Sequence, residues 1–356
     1  MKKILKILLV LLTLFFLLVG TYGAYLIFDY RRIPDKKTLT VMKKATKTSL
    51  TTHHNYRIST YNIGFGAYLP DFSFFMDGGK SSWAKSENSV QYAVRSAATT
   101  IRKDNVDFAL FQEVDLNGTR SYHVNEANLL TNQLSEYDHT FAINYHSSFL
   151  FYPLTQPHGK NTSGLATYSR YPIISAFRRS LPISTSLSKY LDLDRAYAIH
   201  HIPVKNGKDL VLFNVHLSAY GNSGTIRKAQ LSMLKTDMNK ELHKGNYVLV
   251  GGDFNHNLKA REKEKSTVTW AHPFPRSSLG DNFSLAMDNL TPKERTHLAD
   301  SARNTNTAYI KGKTYTVMLD GFIISKNIKV THFTTQKTGF AYSDHEPVIM
   351  DFQLLD

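Results

Sequence analysis

Asn246-Tyr247-Val248-Leu249-Val250-Gly251-Gly252-Asp253-Phe254-Asn255-His256 is the stretch on which the fold of this chain turns. Its first half is a short apolar run of the kind that forms a buried strand. The two glycines that follow permit a tight turn and a close approach of backbone to a ligand. Asp253 and Asn255 are separated by one residue, and on extended backbone residues i and i+2 project the same way. A core strand would then deliver a carboxylate and a carboxamide together at its end. A carboxylate can hold a hard cation or take a proton from water; an amide can orient that water or bond a phosphate oxygen. The competing explanation is a plain turn that uses Gly, Asp and Asn for their backbone habits.

The same pattern recurs along the chain. Arg57–Ile63 carries Asn62, Asp107–Glu113 ends in an acid, and Leu210–His216 ends in a histidine. Asp344 and His345 come just before the strand Glu346–Phe352, and Asp320 sits early in Leu319–Ser325. Groups at strand ends are held rigidly by the sheet and left open by the loops. Singly, each has an ordinary explanation: Glu113 as a surface carboxylate, His216 as a satisfied core histidine, Asp344-His345 as a solvated turn. The recurrence carries the weight. Periodicity predicts helices over Ser86–Arg102, with Val90, Ala93, Val94, Ala97 and Ile101 on one face, over Asn125–Leu134, and over Thr225–His243. In the last, Ile226, Ala229, Met233, Met238 and Leu242 are expected to face the core. Further short strands fall at 139–145, 164–169, 173–178 and 195–203, so the pattern is mixed α/β. Residues 257–312 read as irregular.

The chain has 356 residues and no cysteine, which excludes disulfides, thiolate metal sites and a cysteine nucleophile. The formal net charge is +14, but residues 1–55 hold +8 of it, leaving +6 on the remainder. That excludes a strongly cationic nucleic-acid binder. Residues 7–28 contain no charge and follow Lys2, Lys3 and Lys6. As a helix they would run about 33 Å, enough to cross a bilayer. A cleaved signal peptide is the alternative, with Thr21-Tyr22-Gly23 as the cleavage region, but the apolar run continues through Phe28 and favours an uncleaved anchor. The expected organisation is an anchor over 1–28, a basic linker over 29–55 that touches anionic headgroups, and one domain over 56–356. Arg31, Arg32, Lys36 and Lys37 would hold the domain in the cytoplasm by the positive-inside rule. Long domains translocate largely regardless of flanking charge, and a lysine-headed apolar N-terminus has the form of an export signal, so an extracytoplasmic domain at the cell membrane is expected.

Tyr61-Asn62-Ile63, Phe111-Gln112-Glu113-Val114, Asn214-Val215-His216-Leu217, Gly252-Asp253-Phe254-Asn255, Leu319-Asp320-Gly321-Phe322 and Ser343-Asp344-His345-Glu346-Pro347-Val348 occur in this order. In these six motifs the chain resembles the endonuclease/exonuclease/phosphatase superfamily over about residues 56–353. That group includes pancreatic-type deoxyribonucleases, abasic-site endonucleases, bacterial sphingomyelinases and inositol-polyphosphate phosphatases. The resemblance implies a four-layer α/β sandwich, two packed mixed β-sheets flanked by helices, with the site at one end. It implies Mg²⁺, or Mn²⁺ in its place, held by Glu113 with Asn62 beside it and Asp344 as a second acid near the metal. Asp253 and Asn255 resemble the pair that activates or orients water and contacts phosphate. His345, paired with Asp320, resembles the histidine that contacts the scissile phosphate or moves a proton. His216 resembles the phosphate-side histidine, and Arg195, in the shorter match Leu193-Asp194-Arg195-Ala196, the phosphate-contacting arginine.

The chemistry fits independently: a divalent cation, an arginine and protonated imidazoles offset the charge that develops on a phosphate ester. There is no HExxH and no Cys cluster, so zinc chemistry is disfavoured. Gly64, two after Asn62, lacks the acid of abasic-site endonucleases, and Leu319-Asp320-Gly321-Phe322 lacks the Trp-Cys-Asp-Arg type motif of inositol 5-phosphatases. The expected activity is a Mg²⁺-dependent phosphodiesterase, monomeric and membrane-tethered, acting on nucleic acid or a phospholipid headgroup. A phosphomonoesterase of the same fold, or a catalytically silent tethered binding protein, is the alternative. The aromatic tracts 65–76 and 149–153 would rim the site and seat a lipid or stack bases, or else pack on the core.

Overall fold

Ile58 and Tyr61 lie on one strand yet belong to different apolar layers, and that explains why the strands read as unbroken apolar runs. Ile58, Phe108 and Leu110 pack with Leu212, Val248 and Val250 of a second sheet. Tyr61, Ala109 and Phe111, on the opposite face, pack with Val90, Val94 and Leu130 of helices. A strand covered on both faces has no solvent side to alternate with. The structure, a computed structural model, describes residues 2–186, 189, 194–218, 224–262 and 271–356. In chain order its elements are α1 (Lys2–Asp29), β1 (Lys37–Thr38), β2 (Tyr56–Asn62), α2 (Glu87–Lys103), β3 (Phe108–Gly118), α3 (Glu126–Gln133), β4 (Asp138–His146), β5 (Asn161–Ser169), β6 (Ser175–Ser180), β7 (Ala196–Pro203) and β8 (Asp209–His216). There follow α4 (Gly224–His243), β9 (Tyr247–Asp253), β10 (Phe283–Leu285), α5 (Pro292–His297), β11 (Ala302–Arg303), β12 (Thr316–Val317), β13 (Asp320–Ser325), β14 (Ile328–Thr335) and β15 (Val348–Leu354).

One sheet has the order β1-β6-β7-β8-β9-β13-β10 and the other β14-β15-β2-β3-β5-β4; β11 and β12 form a small ribbon. Each large sheet is antiparallel except for one parallel pair, β8–β9 in the first and β2–β3 in the second. The two sheets face each other, with helices on their outer faces, which is the four-layer sandwich expected. Register positions the chemistry. His216 lies opposite Asp253 across β8–β9, and Asp320 lies opposite Asp253 across β9–β13.

The glycines before Asp253 work differently from the turn expected of them. Gly251 and Gly252 are the fifth and sixth residues of β9. A Cβ on Gly251 would stand 2.6 Å from Leu110 of the facing sheet, and one on Gly252 would stand 2.0 Å from the Val215 carbonyl oxygen. They bring β9 close to its neighbours rather than to a ligand. The sheets also share a buried polar link: Gln112 Nε2 donates to Asn214 Oδ1 at 2.8 Å, and Asn214 Nδ2 donates to the Ala166 carbonyl at 3.1 Å.

Three further expectations change. The basic stretch 29–55 is not a free tether, because β1 pairs with β6 and Leu39 and Leu50 join the main core. In α4 the buried face is Gln230, Leu231, Leu234, Asp237, Met238 and Glu241, so of the expected set only Met238 is fully buried. Polar residues go inside because they have partners: Gln230 bonds Ser218 and the Pro182 carbonyl, and Asp237 takes Arg179 and Tyr197. Strand β14 was not apparent in the sequence. It is an edge strand with Lys329, Thr331 and His332 turned outward, so its apolar signal is diluted.

Buried histidines give the fold an acid limit. His200, fully buried between Thr140 Oγ1 at 2.8 Å and the Leu212 carbonyl at 3.1 Å, is pushed down to about 4 by burial. The unfolded chain binds a proton there below pH ~6.5, and the folded chain does not until pH falls to about 4. Stability is therefore complete above the unfolded value and is lost as pH falls through this window, by about 3 kcal/mol from this residue alone. Urea melts of the parent and a His200→Gln variant at pH 7 and pH 5 check this: the variant should lose less stability on acidification, and an equal loss would contradict it.

Candidate active site

Asp253, at the end of the central strand β9, is the hub. Asn62 Nδ2, from the end of β2, donates to Asp253 Oδ2 at 3.1 Å and to Glu113 Oε1 at 3.0 Å. Asn62 Oδ1 is occupied by the Gly64 N–H at 3.0 Å. Asn62 thus sets the spacing of two carboxylates and turns its nitrogen, not its oxygen, toward them, which differs from the metal-ligand role expected. His216 Nε2 stands 3.6 Å from Asp253 Oδ2 and 3.9 Å from Glu113 Oε1. His345 Nε2 stands 3.8 Å from Asp253 Oδ2, and its Nδ1 is bound to Asp320 Oδ2 at 2.7 Å. Ser301, absent from the sequence pattern, donates to Asp320 Oδ2 at 2.8 Å and accepts the Asp320 N–H at 3.0 Å.

Glu113 is not at a strand end. It sits inside β3, where three steps from Phe111 to Val114 face two steps on β5, so the strand carries an extra residue. At that bulge Glu113 takes φ +54, in the left-handed region. A bulge re-aims a side chain, and here it presents a carboxylate to the cleft. Asp253 and Asn255 do converge, but through a turn and not through strand alternation. The Asn255 N–H donates to Asp253 Oδ1 at 2.8 Å, Asn255 has φ +50, and its Nδ2 donates to the Leu217 carbonyl at 2.8 Å. Gly64 makes a close approach within the site: with φ +52, a Cβ there would lie 2.8 Å from Asp344 Oδ1.

These groups open into a cleft of about 490 Å³, which Arg195, Asn255 and Asp344 also line. All nine residues singled out by sequence therefore lie at one site, with Asp320 reaching it through His345. Two arginines were missed because no long apolar run marks them: Arg120 lies in a short turn after β3, and Arg303 ends the two-residue strand β11. Arg120 lines the cleft, is held by Asp115 at 2.8 and 3.1 Å, and lies 3.7 Å over the Phe65 ring. Arg303 lines it too and donates to the Tyr68 and Leu69 carbonyls, both at 3.2 Å. Of the aromatic tracts, Phe65, Tyr68 and Phe74 line the cleft, whereas Phe149 and Phe151 do not.

Crowded acids and burial shift the protonation equilibria. Burial, then Asp320, pushes Asp253 up to about 7, against His345 and the N–H donors of Asn255 and Asn62. Burial, with Glu113 adding to it, pushes Asp344 up to about 6. Burial opposes the charge of His345, but Asp320 and then Asp344 and Asp253 outweigh it and hold the imidazole protonated well above its usual range. His216 goes the other way: burial, then Arg195 and His345, keep it neutral. The expectation of several protonated imidazoles narrows to one. Among the described residues, one trio of ligand-type side chains has its ligand atoms within 4.8 Å of one another: Asp253, Asp320 and His345. With Nδ1 bonded to Asp320 and the ring protonated, His345 is a poor ligand, and the trio suits a proton better than a cation. Glu113 and Asp344 instead offer hard oxygen donors suited to Mg²⁺ or Mn²⁺.

A cleft of acids and one charged imidazole between two mixed sheets defines the class. Residues 59–345 match the Endonuclease/Exonuclease/phosphatase family, and the chain belongs to it. It is thereby a hydrolase of phosphoesterase or nuclease type, in a family that generally depends on a divalent metal. No curated protein matches the chain by sequence. Among solved structures it is similar to an endonuclease/exonuclease/phosphatase from Beutenbergia cavernae, at 16% identity and TM-score 0.60, covering 85% of this chain and 72% of that one. It is similar to D. rerio TDP2 complexed with a single-strand DNA product, at 14% identity and TM-score 0.55, covering 84% and 99%. It is also similar to a functionally unknown conserved protein from Enterococcus faecalis, at 16% identity and TM-score 0.56, covering 84% and 99%. At these identities the likeness extends to the fold.

Proposed function

We propose that this protein is a Mg²⁺-dependent phosphodiesterase whose catalytic unit is tethered to the outer face of the cell membrane by α1. The observation that carries it is Asp253, a buried carboxylate poised near neutrality between Asn62, Asn255 and a protonated His345. Glu113 and Asp344 would hold the cation, with Asn62 fixing Glu113 in place. When bound, it would supply charge neutralisation at the phosphate and lower the barrier to attack. Water adds its oxygen to phosphorus while Asp253 takes its proton. The P–O bond to the leaving group breaks, and the leaving oxygen keeps the electron pair. His345, the nearest acid, donates to that oxygen or stabilises the phosphate charge, and Asp320 fixes its tautomer. Arg195 and Asn255 orient the phosphate oxygens, and neutral His216 bonds one of them without adding charge.

α1 is 28 residues long with a window of mean hydropathy 2.6 and no buried residue, which supports an anchor. The test is hydrolysis of DNA, RNA, phospholipid vesicles and small phosphodiesters by the full chain with Mg²⁺. We expect activity that EDTA abolishes and added Mg²⁺ restores. Hydrolysis that survives EDTA would sink the metal-assisted mechanism.

A further inference from the structure

The end of α1, an uncharged aromatic loop and the apolar lip of the cleft meet on one side of the molecule. The Tyr22 hydroxyl donates to the Phe149 carbonyl at 3.1 Å, and the Phe149 N–H donates to the Tyr25 hydroxyl at 2.9 Å. The Tyr22 and Phe151 rings meet edge to face at 5.2 Å. Tyr22 lies seven residues before Asp29, the last residue of α1, or about 10 Å back along the helix axis. The uncharged run 7–28 is about 33 Å long, little more than the ~30 Å hydrocarbon core that it would cross. The headgroup zone on each side adds only ~5–7 Å. A loop bonded to Tyr22 is therefore carried into that zone whenever α1 spans the bilayer.

The loop is built for that depth. Residues 147–159 contain no Asp, Glu, Lys or Arg. Phe151, Tyr152 and Leu154 are 53%, 70% and 85% exposed, a largely exposed apolar cluster beside Tyr22 and Phe75. The next charge, Lys160, pairs with Asp29 at 3.3 Å, which puts an ion pair at headgroup level above the loop. The loop also adjoins the cleft. The Tyr152 ring is 5.8 Å from Phe75, and the His158 N–H donates to the Tyr152 carbonyl at 3.1 Å. Phe74, Met76 and His158 line the cleft, and Met76 is 64% exposed.

We propose that loop 149–154 seats in the same bilayer that α1 enters, and that the substrate is the phosphodiester of a membrane phospholipid drawn from that bilayer. This rests on the reading of an anchored phosphoester hydrolase. Arg195 and the charged imidazole at the inner end take the phosphate, and the partly exposed Phe74 and the exposed Met76 at the outer end take the apolar part. Hydrolysis adds water across one P–O ester bond and yields a phosphomonoester and an alcohol. A nucleic acid would instead require a basic track, and the residues beyond 55 carry only +6.

The cysteine-free chain allows a direct test. Full-length protein in phosphatidylcholine/phosphatidylglycerol nanodiscs is labelled with bimane at Leu154→Cys, Leu12→Cys or Lys326→Cys. Lys326 follows β13 at the end away from Asp320. Spin-labelled phosphatidylcholine should quench the labels at positions 154 and 12 and spare the one at 326. Quenching at 12 but not at 154 overturns the docking and leaves the anchor standing; no quenching at 12 overturns both. In parallel, a Phe151→Ser/Tyr152→Ser/Leu154→Ser variant should hydrolyse vesicle phospholipid about tenfold more slowly and bis(p-nitrophenyl) phosphate at the parent rate. Equal loss on both substrates, an unchanged vesicle rate, or hydrolysis of DNA but not of vesicles overturns the lipid substrate. If the parent hydrolyses nothing, the hydrolase reading and the lipid substrate fall together, while quenching still decides the docking.

Discussion

An Asp253→Asn variant is expected to lose about 10³-fold in kcat while remaining folded. Asp253 accepts from Asn255 N at Oδ1 and from Asn62 Nδ2 at Oδ2. Asparagine satisfies one donor and faces the other with its own NH₂, a loss of about 1–3 kcal/mol. Against that, it removes a buried charge that burial already penalises, as the rise of Asp253 to about 7 shows. The two effects oppose each other, so stability should move little. What disappears is the group able to take a proton near neutral pH, and its neighbours replace it poorly: His345 is already protonated, Asp344 lies on the metal side, and burial, then Arg195 and His345, oppose a proton on neutral His216. Steady-state kinetics beside urea melts decide the matter. A kcat within about tenfold of the parent would move the base to another group.

Glu113→Gln is the second large effect: Mg²⁺ affinity should fall at least about 100-fold, and activity with it. Glutamine can keep an oxygen where Asn62 Nδ2 donates, so the loss would report charge and not shape. The backbone supports the assignment. Holding a non-glycine residue at φ +54 costs about 1–3 kcal/mol, and the visible return is a carboxylate aimed into the cleft. A Glu113→Gly variant should therefore match or exceed the parent's stability while losing the metal, as expected where function is held against local strain. Calorimetric Mg²⁺ titration with thermal melts separates the two readouts. Parent-like Mg²⁺ binding by Glu113→Gln would remove Glu113 from the metal site.

Much of this was legible in the sequence because strands covered on both faces leave long apolar runs. The polar residues that interrupt them at Asn62, His216, Asp253 and Asp320 then stand out. The six motifs, in order, were enough for the superfamily and the layered sandwich. What the sequence hid has identifiable causes. The bulge that turns Glu113 depends on a one-residue mismatch with β5, a property of two strands and not of one. The buried face of α4 is chosen by distant partners, Arg179 and Tyr197 for Asp237 and Pro182 for Gln230, which override its apolar periodicity. Ser301, Arg120 and Arg303 lie on segments with no long apolar run to mark them in the sequence.

Gly251-Gly252-Asp253-Phe254-Asn255 shows the division most clearly. Sequence alone determined that a core strand ends in a carboxylate with a carboxamide close by, since residue type and apolar run are local properties. Tertiary structure decided that the glycines make room for Leu110 and Val215, that a turn aims Asn255, and that Asp253 has His216 on one side and Asp320 on the other. Those outcomes depend on how close two sheets approach and in what register their strands pair, distances that exist only once the chain has folded.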